Sequence, residues 1–209
     1  MPESTPDTLF PAALDAAQRA LETESRAVEA MRSRNQDSLR AALELLAPHR
    51  GRIIISGLGK SGHIGAKMAA TLCSFGAPSY FMNSSEALHG DFGMCTPDDI
   101  GIVISYSGKT KEVVAVARWM KNFGMPLIAM SRDASSPIGT LCDVHLDISV
   151  DREADPLNLG PTASTAATLA LGDALGAGLQ VLRGFTPEDF HLRHPGGSLG
   201  ELLQTPSAN

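Results

Sequence analysis

Cysteine is scarce in this 209-residue chain: Cys73, Cys95 and Cys142 stand singly, with no C-x-x-C pair and no zinc-ligand spacing. That excludes a disulfide framework and points to reduced thiols in the cytosol. Basic charge is short as well. Seventeen Lys and Arg against twenty-three Asp and Glu leave a net charge of −6 without a basic cluster, which argues against a nucleic-acid partner. The opening MPESTPDTLF has neither a basic n-region nor an apolar h-region, so no secretory leader is expected. A long uninterrupted apolar run is also missing. The best candidate, TAATLALGDALGAGLQVL at 165–182, contains Asp173, three glycines and two threonines. It is too polar for a membrane span and better suited to burial in protein.

What the chain does have is enough length for one large domain with a proper core. Apolar residues at helical spacing (Leu14, Ala17, Leu21, Val28, Met31, then Leu39, Leu43, Leu46) predict two helices over 11–47, broken near 34–37 and closed by Pro48. From Arg52 the pattern changes to short β-branched runs alternating with helical stretches. Strands are expected at 53–56, 79–82, 100–105, 127–130 and 144–148. Helices are expected at 61–75, 110–123 and 164–182, with a short turn at 137–141. These strands are mostly apolar throughout, as in a parallel sheet covered on both faces. The expected fold is α/β: a three-layer α/β/α sandwich on a five-stranded parallel sheet, flavodoxin-like. It would occupy 51–203, with helices of 1–50 packed on it and a tail at 204–209.

Ligands of such sheets gather at the carboxyl ends of the strands, so the loops that follow the strands are the place to search. IIISGLGKSGHIG at 53–65 matches G-x-G-x-x-G through Gly57, Gly59 and Gly62. The ribose-binding acid is missing, because the second strand ends YFMN with Asn83. A Walker A reading fails too, since its first glycine would fall on Ile54. What remains is a turn delivering Gly59, Lys60 and Ser61 to a helix start, where free N–H groups and the dipole favour an anion. SYSGKTKE at 105–112 repeats the arrangement. Ser105, Ser107 and Thr110 supply hydroxyls and Gly108 permits an unusual turn, a donor set suited to a phosphate monoester.

Taken together, GLGKSGHIGAKMAAT, EALHGDFGM, SYSGKTKE, LGPTASTAATLALGDAL and GFTPEDFHLRHPGGSLG resemble the sugar isomerase (SIS) domain of bacterial D-arabinose 5-phosphate isomerases, from about Arg52 to Gly200. The resemblance implies interconversion of D-ribulose 5-phosphate and D-arabinose 5-phosphate, the entry to 3-deoxy-D-manno-octulosonate for lipopolysaccharide. It also implies a cytoplasmic homotetramer with active sites shared between subunits. Departures are visible. No CBS modules follow, as in a single-domain form or an excised fragment. Asn83 stands where relatives often carry histidine, which weakens any expectation of a zinc site. Tyr106 and Lys109 replace the commoner asparagine and glutamate, and Lys109 either adds charge beside a phosphate or points to water.

Enediol-type chemistry needs a base, a group that polarises oxygen and a way to open a cyclic sugar, and it needs no redox cofactor. The resemblance assigns Lys60, Glu112, Glu153 and His194 as catalytic, and His89 is a further substrate contact. Glu153 is favoured as the proton shuttle, its loop folding over the reactive end, with Glu112 nearer the phosphate. Each has a plainer reading as a helix-end or solvated side chain. His191 and His194 lack a third metal ligand, so no metal site is expected. Two other readings stay open: a catalytically idle sugar-phosphate sensor and a related hexulose phosphate isomerase.

Overall fold

The computed structural model describes residues 6–194. The end of the expected 51–203 domain, the PGGSLG stretch and the 204–209 tail lie outside those residues. All five strands form within one residue of the expected ends: β1 Ile53–Gly57, β2 Ser79–Asn83, β3 Ile100–Ile104, β4 Leu127–Ser131 and β5 Val144–Asp147. They pair in parallel in the order β2-β1-β3-β4-β5. This is the flavodoxin-like doubly wound order.

Alternation along the strands makes two cores. Ile53, Ile55, Ile100, Ile102, Ile104, Ile128, Met130 and Leu146 face one side. They are covered by helices α1 Pro6–Arg34, α2 Gln36–Leu46, α3 Gly59–Ser74 and α6 Ala163–Leu182. Ile54, Val103, Leu127 and Ala129 face the other side, against α4 Ser84–Ala87, α5 Lys111–Asn122 and the turn around Ile138. Thus the helix after β1 lies on one face and the helix after β3 on the other. The strand order reverses between these two neighbours, and a crevice opens at their carboxyl ends.

The apolar segment at 165–182 forms most of α6, packed in protein as expected. Its small residues permit close approach. A Cβ on Gly172 or Gly176 would meet Met68 or Phe75 of the α3 region at 2.4 and 2.9 Å. The break between the first two helices falls at Asn35, and a tertiary contact accounts for it. The buried Asn35 amide donates to the Asp147 carbonyl at 2.8 Å, and its oxygen accepts the Asp147 N–H at 2.8 Å. One side chain therefore pairs with the edge strand β5 as a neighbouring strand would.

Three elements were not anticipated: α4, a 3₁₀ turn at Asp91–Met94, and α7 Pro187–Arg193. The signal for α7 stood in TPED, where Thr186 and Asp189 form a reciprocal capping box around Pro187 at the first turn.

At the opposite end of the sheet from the crevice, Arg52 grips Asp99. The Asp99 carboxylate, 1% exposed, takes Arg52 Nη2 at 2.6 Å, Nε at 3.0 Å and the Arg52 backbone N–H at 2.9 Å. Burial alone would raise its pKa, but the hydrogen bonds from Arg52 and Thr96 outweigh that and hold it below the ordinary 3.8. A carboxylate depressed in the folded state contributes stability above its unfolded pKa and loses it as pH falls through the folded value. Asp99→Asn should therefore lower stability by about 1–3 kcal/mol at neutral pH. Urea unfolding from about pH 6 down to about pH 3 should show a shallower acid loss in the variant than in the parent; equal slopes would exclude Asp99 as the source.

Candidate active site

A cavity of about 470 Å³ opens at the carboxyl ends of β1 and β3, within the size range of small-molecule sites. Its floor is the start of α3. Leu58 at the N-cap offers no side-chain hydrogen bond, and the first bond of the helix is Gly62 N–H to Leu58 O at 3.3 Å. The N–H groups of the first turn are thus left without a cap and partly positive. Lys60 and Ser61 line the cavity beside them. Among the described residues the Lys60 ammonium has no hydrogen bond or ion pair.

The serine loop after β3 forms the facing wall. Ser105, Tyr106, Ser107 and Thr110 all line the cavity. The loop curls on itself: Gly108 N–H donates to Ser105 O at 2.9 Å, the Ser105 and Thr110 hydroxyls meet at 2.9 Å, and Lys109 N–H reaches Ser107 Oγ at 3.2 Å. Gly108 is required twice over. Its φ is +67°, and a Cβ there would lie 2.1 Å from Ser136 Oγ. Ser136 belongs to a buried polar chain. Its hydroxyl contacts Ser131 Oγ at 3.2 Å, which meets His145 Nε2 at 2.9 Å. Burial pushes the His145 imidazole below its usual range, so the neutral ring is the form built into this support. Like α3, α5 has no side-chain bond at its N-cap residue, Thr110.

The third wall comes from the loop after β5 and the start of α6, through Glu153, Asn158, Leu159, Pro161, Ser164, Thr165 and Thr168. Here the helix end is occupied. Glu153 Oε2 accepts the Thr162 and Ser164 N–H groups at 2.9 and 3.1 Å, and the Thr162 hydroxyl at 3.3 Å. Among the described residues Oε1 takes no hydrogen bond. Three helix N-termini converge on one cavity, two bare and one capped by its own carboxylate.

A model of the SIS domain matches residues 45–177. The chain belongs to the SIS-domain family. It is 48% identical over 190 residues to the arabinose 5-phosphate isomerase KdsD of Pseudomonas aeruginosa, covering 91% of this chain and 58% of that one. Identity to the enzyme of the same name from Escherichia coli K12 is 51% over 154 residues, or 74% and 47% of the two chains. The chain thus spans about half the length of these curated relatives. Among solved structures, E. coli CFT073 c3406 in complex with arabinose 5-phosphate superposes with a TM-score of 0.85 at 37% identity, covering 88% of this chain and 98% of that one.

In this SIS domain the cavity gathers Lys60, Ser61, Ser105, Ser107, Thr110 and Glu153, with Gly59 at φ +58° beside Lys60. Glu112, half-buried, flanks it in the first turn of α5 between the lining residues Thr110 and Val113. His89 is exposed in the segment after α4, at the same end of the sheet but away from the cavity lining. His194 lies at the other end. Phe185 and Arg193, which bracket α7, pack on Gly76, between the end of α3 and the start of β2. His194 itself stacks on Phe190, with ring centroids 4.0 Å apart. Among the described residues no group of three or more His, Cys, Asp or Glu gathers to hold a metal. Reading the sequence did not nominate Asn158, Ser164, Thr165 or Thr168, although LGPTASTAAT carried three of them within the resemblance.

Gly108→Ala should cost about 1–3 kcal/mol and displace the serine loop, because both the positive φ and the Ser136 contact oppose a side chain. The check is a thermal melt alongside titration with inorganic phosphate. A variant that binds phosphate like the parent would show that the loop tolerates the change.

Proposed function

We propose that the chain is an aldose–ketose isomerase interconverting D-ribulose 5-phosphate and D-arabinose 5-phosphate. The observation that carries this is the division of labour among the three helix ends. Two bare N-termini with Lys60, Ser61 and the serine-loop hydroxyls form a grip for a dianionic phosphate. The third end holds the carboxylate of Glu153, a cavity-lining residue, by one oxygen and leaves the other without a hydrogen bond among the described residues. Relatives named arabinose 5-phosphate isomerase and a similar structure in complex with arabinose 5-phosphate support the substrate.

In this reading the phosphate sits across the α3 and α5 starts and the open-chain sugar extends toward Glu153. Glu153 Oε1 takes the proton from the hydroxyl-bearing carbon beside the carbonyl and returns it to the former carbonyl carbon, while the hydroxyl proton passes from that carbon's oxygen to the former carbonyl oxygen. Lys60 stabilises the negative charge that builds on oxygen in between. Glu112 orients a hydroxyl from the phosphate side. The product feeds 3-deoxy-D-manno-octulosonate synthesis for lipopolysaccharide in the cytoplasm, a setting that suits the three free cysteines.

The assembly proposed is a homotetramer with shared sites. Phe10, Leu14, Ala17 and Leu21 repeat at spacings of four and three along α1, with Phe10, Leu14 and Leu21 at 68%, 62% and 72% exposure. Such a seam seeks a partner helix. With α7 packed near Gly76 at the far end of the sheet, this reading has His194 act at a neighbouring copy's site.

A coupled assay on D-ribulose 5-phosphate with product identification tests the activity. Binding without turnover would mark a sensor, and preference for a six-carbon substrate would mark a hexulose phosphate isomerase. Glu153→Gln should lose about 100-fold or more in rate and abolish solvent-deuterium incorporation, whereas Glu112→Gln should keep it. Exchange retained by Glu153→Gln transfers the role elsewhere. Light scattering of Leu14→Lys/Leu21→Lys should report smaller species with reduced activity; a small species of full activity would defeat the shared site.

A further inference from the structure

Tyr106 joins the two halves of the cavity. Its hydroxyl lies 3.3 Å from the Val150 N–H, which donates to it, and 3.5 Å from the Val150 carbonyl, to which it donates. Both contacts are long, but they grip one residue from the two sides of its backbone. The ring is itself fixed. The Arg132 guanidinium lies 5.6 Å from its centroid, and the Arg132 N–H donates to the Tyr106 carbonyl at 3.0 Å. Among the described residues this is the one hydrogen-bonded link between the serine loop and the segment 148–162 that carries Glu153.

That segment is braced within itself. Asp155 takes the N–H groups of Leu157, Leu159 and Gly160, Asn158 takes that of Glu153, and Glu153 in turn caps α6. A segment so tied moves as a unit, and Val150, three residues before Glu153, is where it meets the phosphate side. We infer that Tyr106 is a positioning residue: its hydroxyl sets the span between the phosphate grip and the Glu153 carboxylate. Tyr106 acts through Val150 on the placement of Glu153, while its ring remains as cavity wall. Proton transfer is steep in distance and phosphate binding is not. Loosening the strap therefore slows the reaction and leaves the anchor intact.

The inference rests on the isomerase reading, and the test separates the two. Turnover of D-arabinose 5-phosphate by the parent is measured first; an inactive parent overturns that reading and this one with it. Tyr106→Phe keeps the ring and removes only the hydroxyl. It should lower kcat about tenfold while KM and the inhibition constant for inorganic phosphate stay within about twofold. An unchanged kcat overturns the inference alone, and so does a kcat loss matched by an equal loss of phosphate affinity. A clear fall in the melting temperature of Tyr106→Phe also overturns it, since the hydroxyl would then hold the fold rather than the site.

Discussion

The cavity depends on the parallel pairing of β1 and β3 with their helices sent to opposite faces. Parallel strands deliver both helix N-termini to the same edge of the sheet, and opposite winding leaves a gap between them instead of a helix–helix contact. The backbone dipoles of α3 and α5 then point into one crevice, and neither is satisfied by a side-chain cap. An anion there gains from both ends at once. The large apolar side chains of β1 and β3 hold this geometry by giving each face its own core.

Within that crevice the third helix end behaves differently, and the difference gives the site a direction. Glu153 neutralises the start of α6 by one carboxylate oxygen, so a second phosphate-like group is not invited there. The uncapped helix starts of α3 and α5 line one side of the cavity with Lys60, and Glu153 lines it from the α6 side. The rigidity of both sides is built from short-range devices: Gly108 against Ser136 behind the serine loop, and Asp155 with Asn158 around the Glu153 loop.

The two glycine-hydroxyl turns were legible because their chemistry is local. GLGKS and SYSGKT each place glycine, hydroxyl and helix start within a few residues, and a βα turn has few ways to arrange them. The strands were legible for the same reason, as apolar runs bounded by turn residues. Glu153 was less so. Its partners Thr162 and Ser164 lie nine and eleven residues away through a loop without periodicity. The role of Asn35 was hidden for a similar reason, since nothing in its neighbourhood announces Asp147, 112 residues on.

By itself, the sequence determined the five-stranded α/β sandwich, the two anion-ready turns and the family. These follow from periodicity, glycine placement and helix-start chemistry, which act over a turn or two of chain. Only the tertiary structure decided that Lys60 and Glu153 face one cavity, that one Glu153 oxygen is tied to α6, and that α7 carries His194 to the far end of the sheet. Those outcomes depend on how the crossovers wind and on which residues distant loops bring together. Side-chain pattern along the chain constrains which residues are buried, but contacts across the sheet fix where the exposed ones meet.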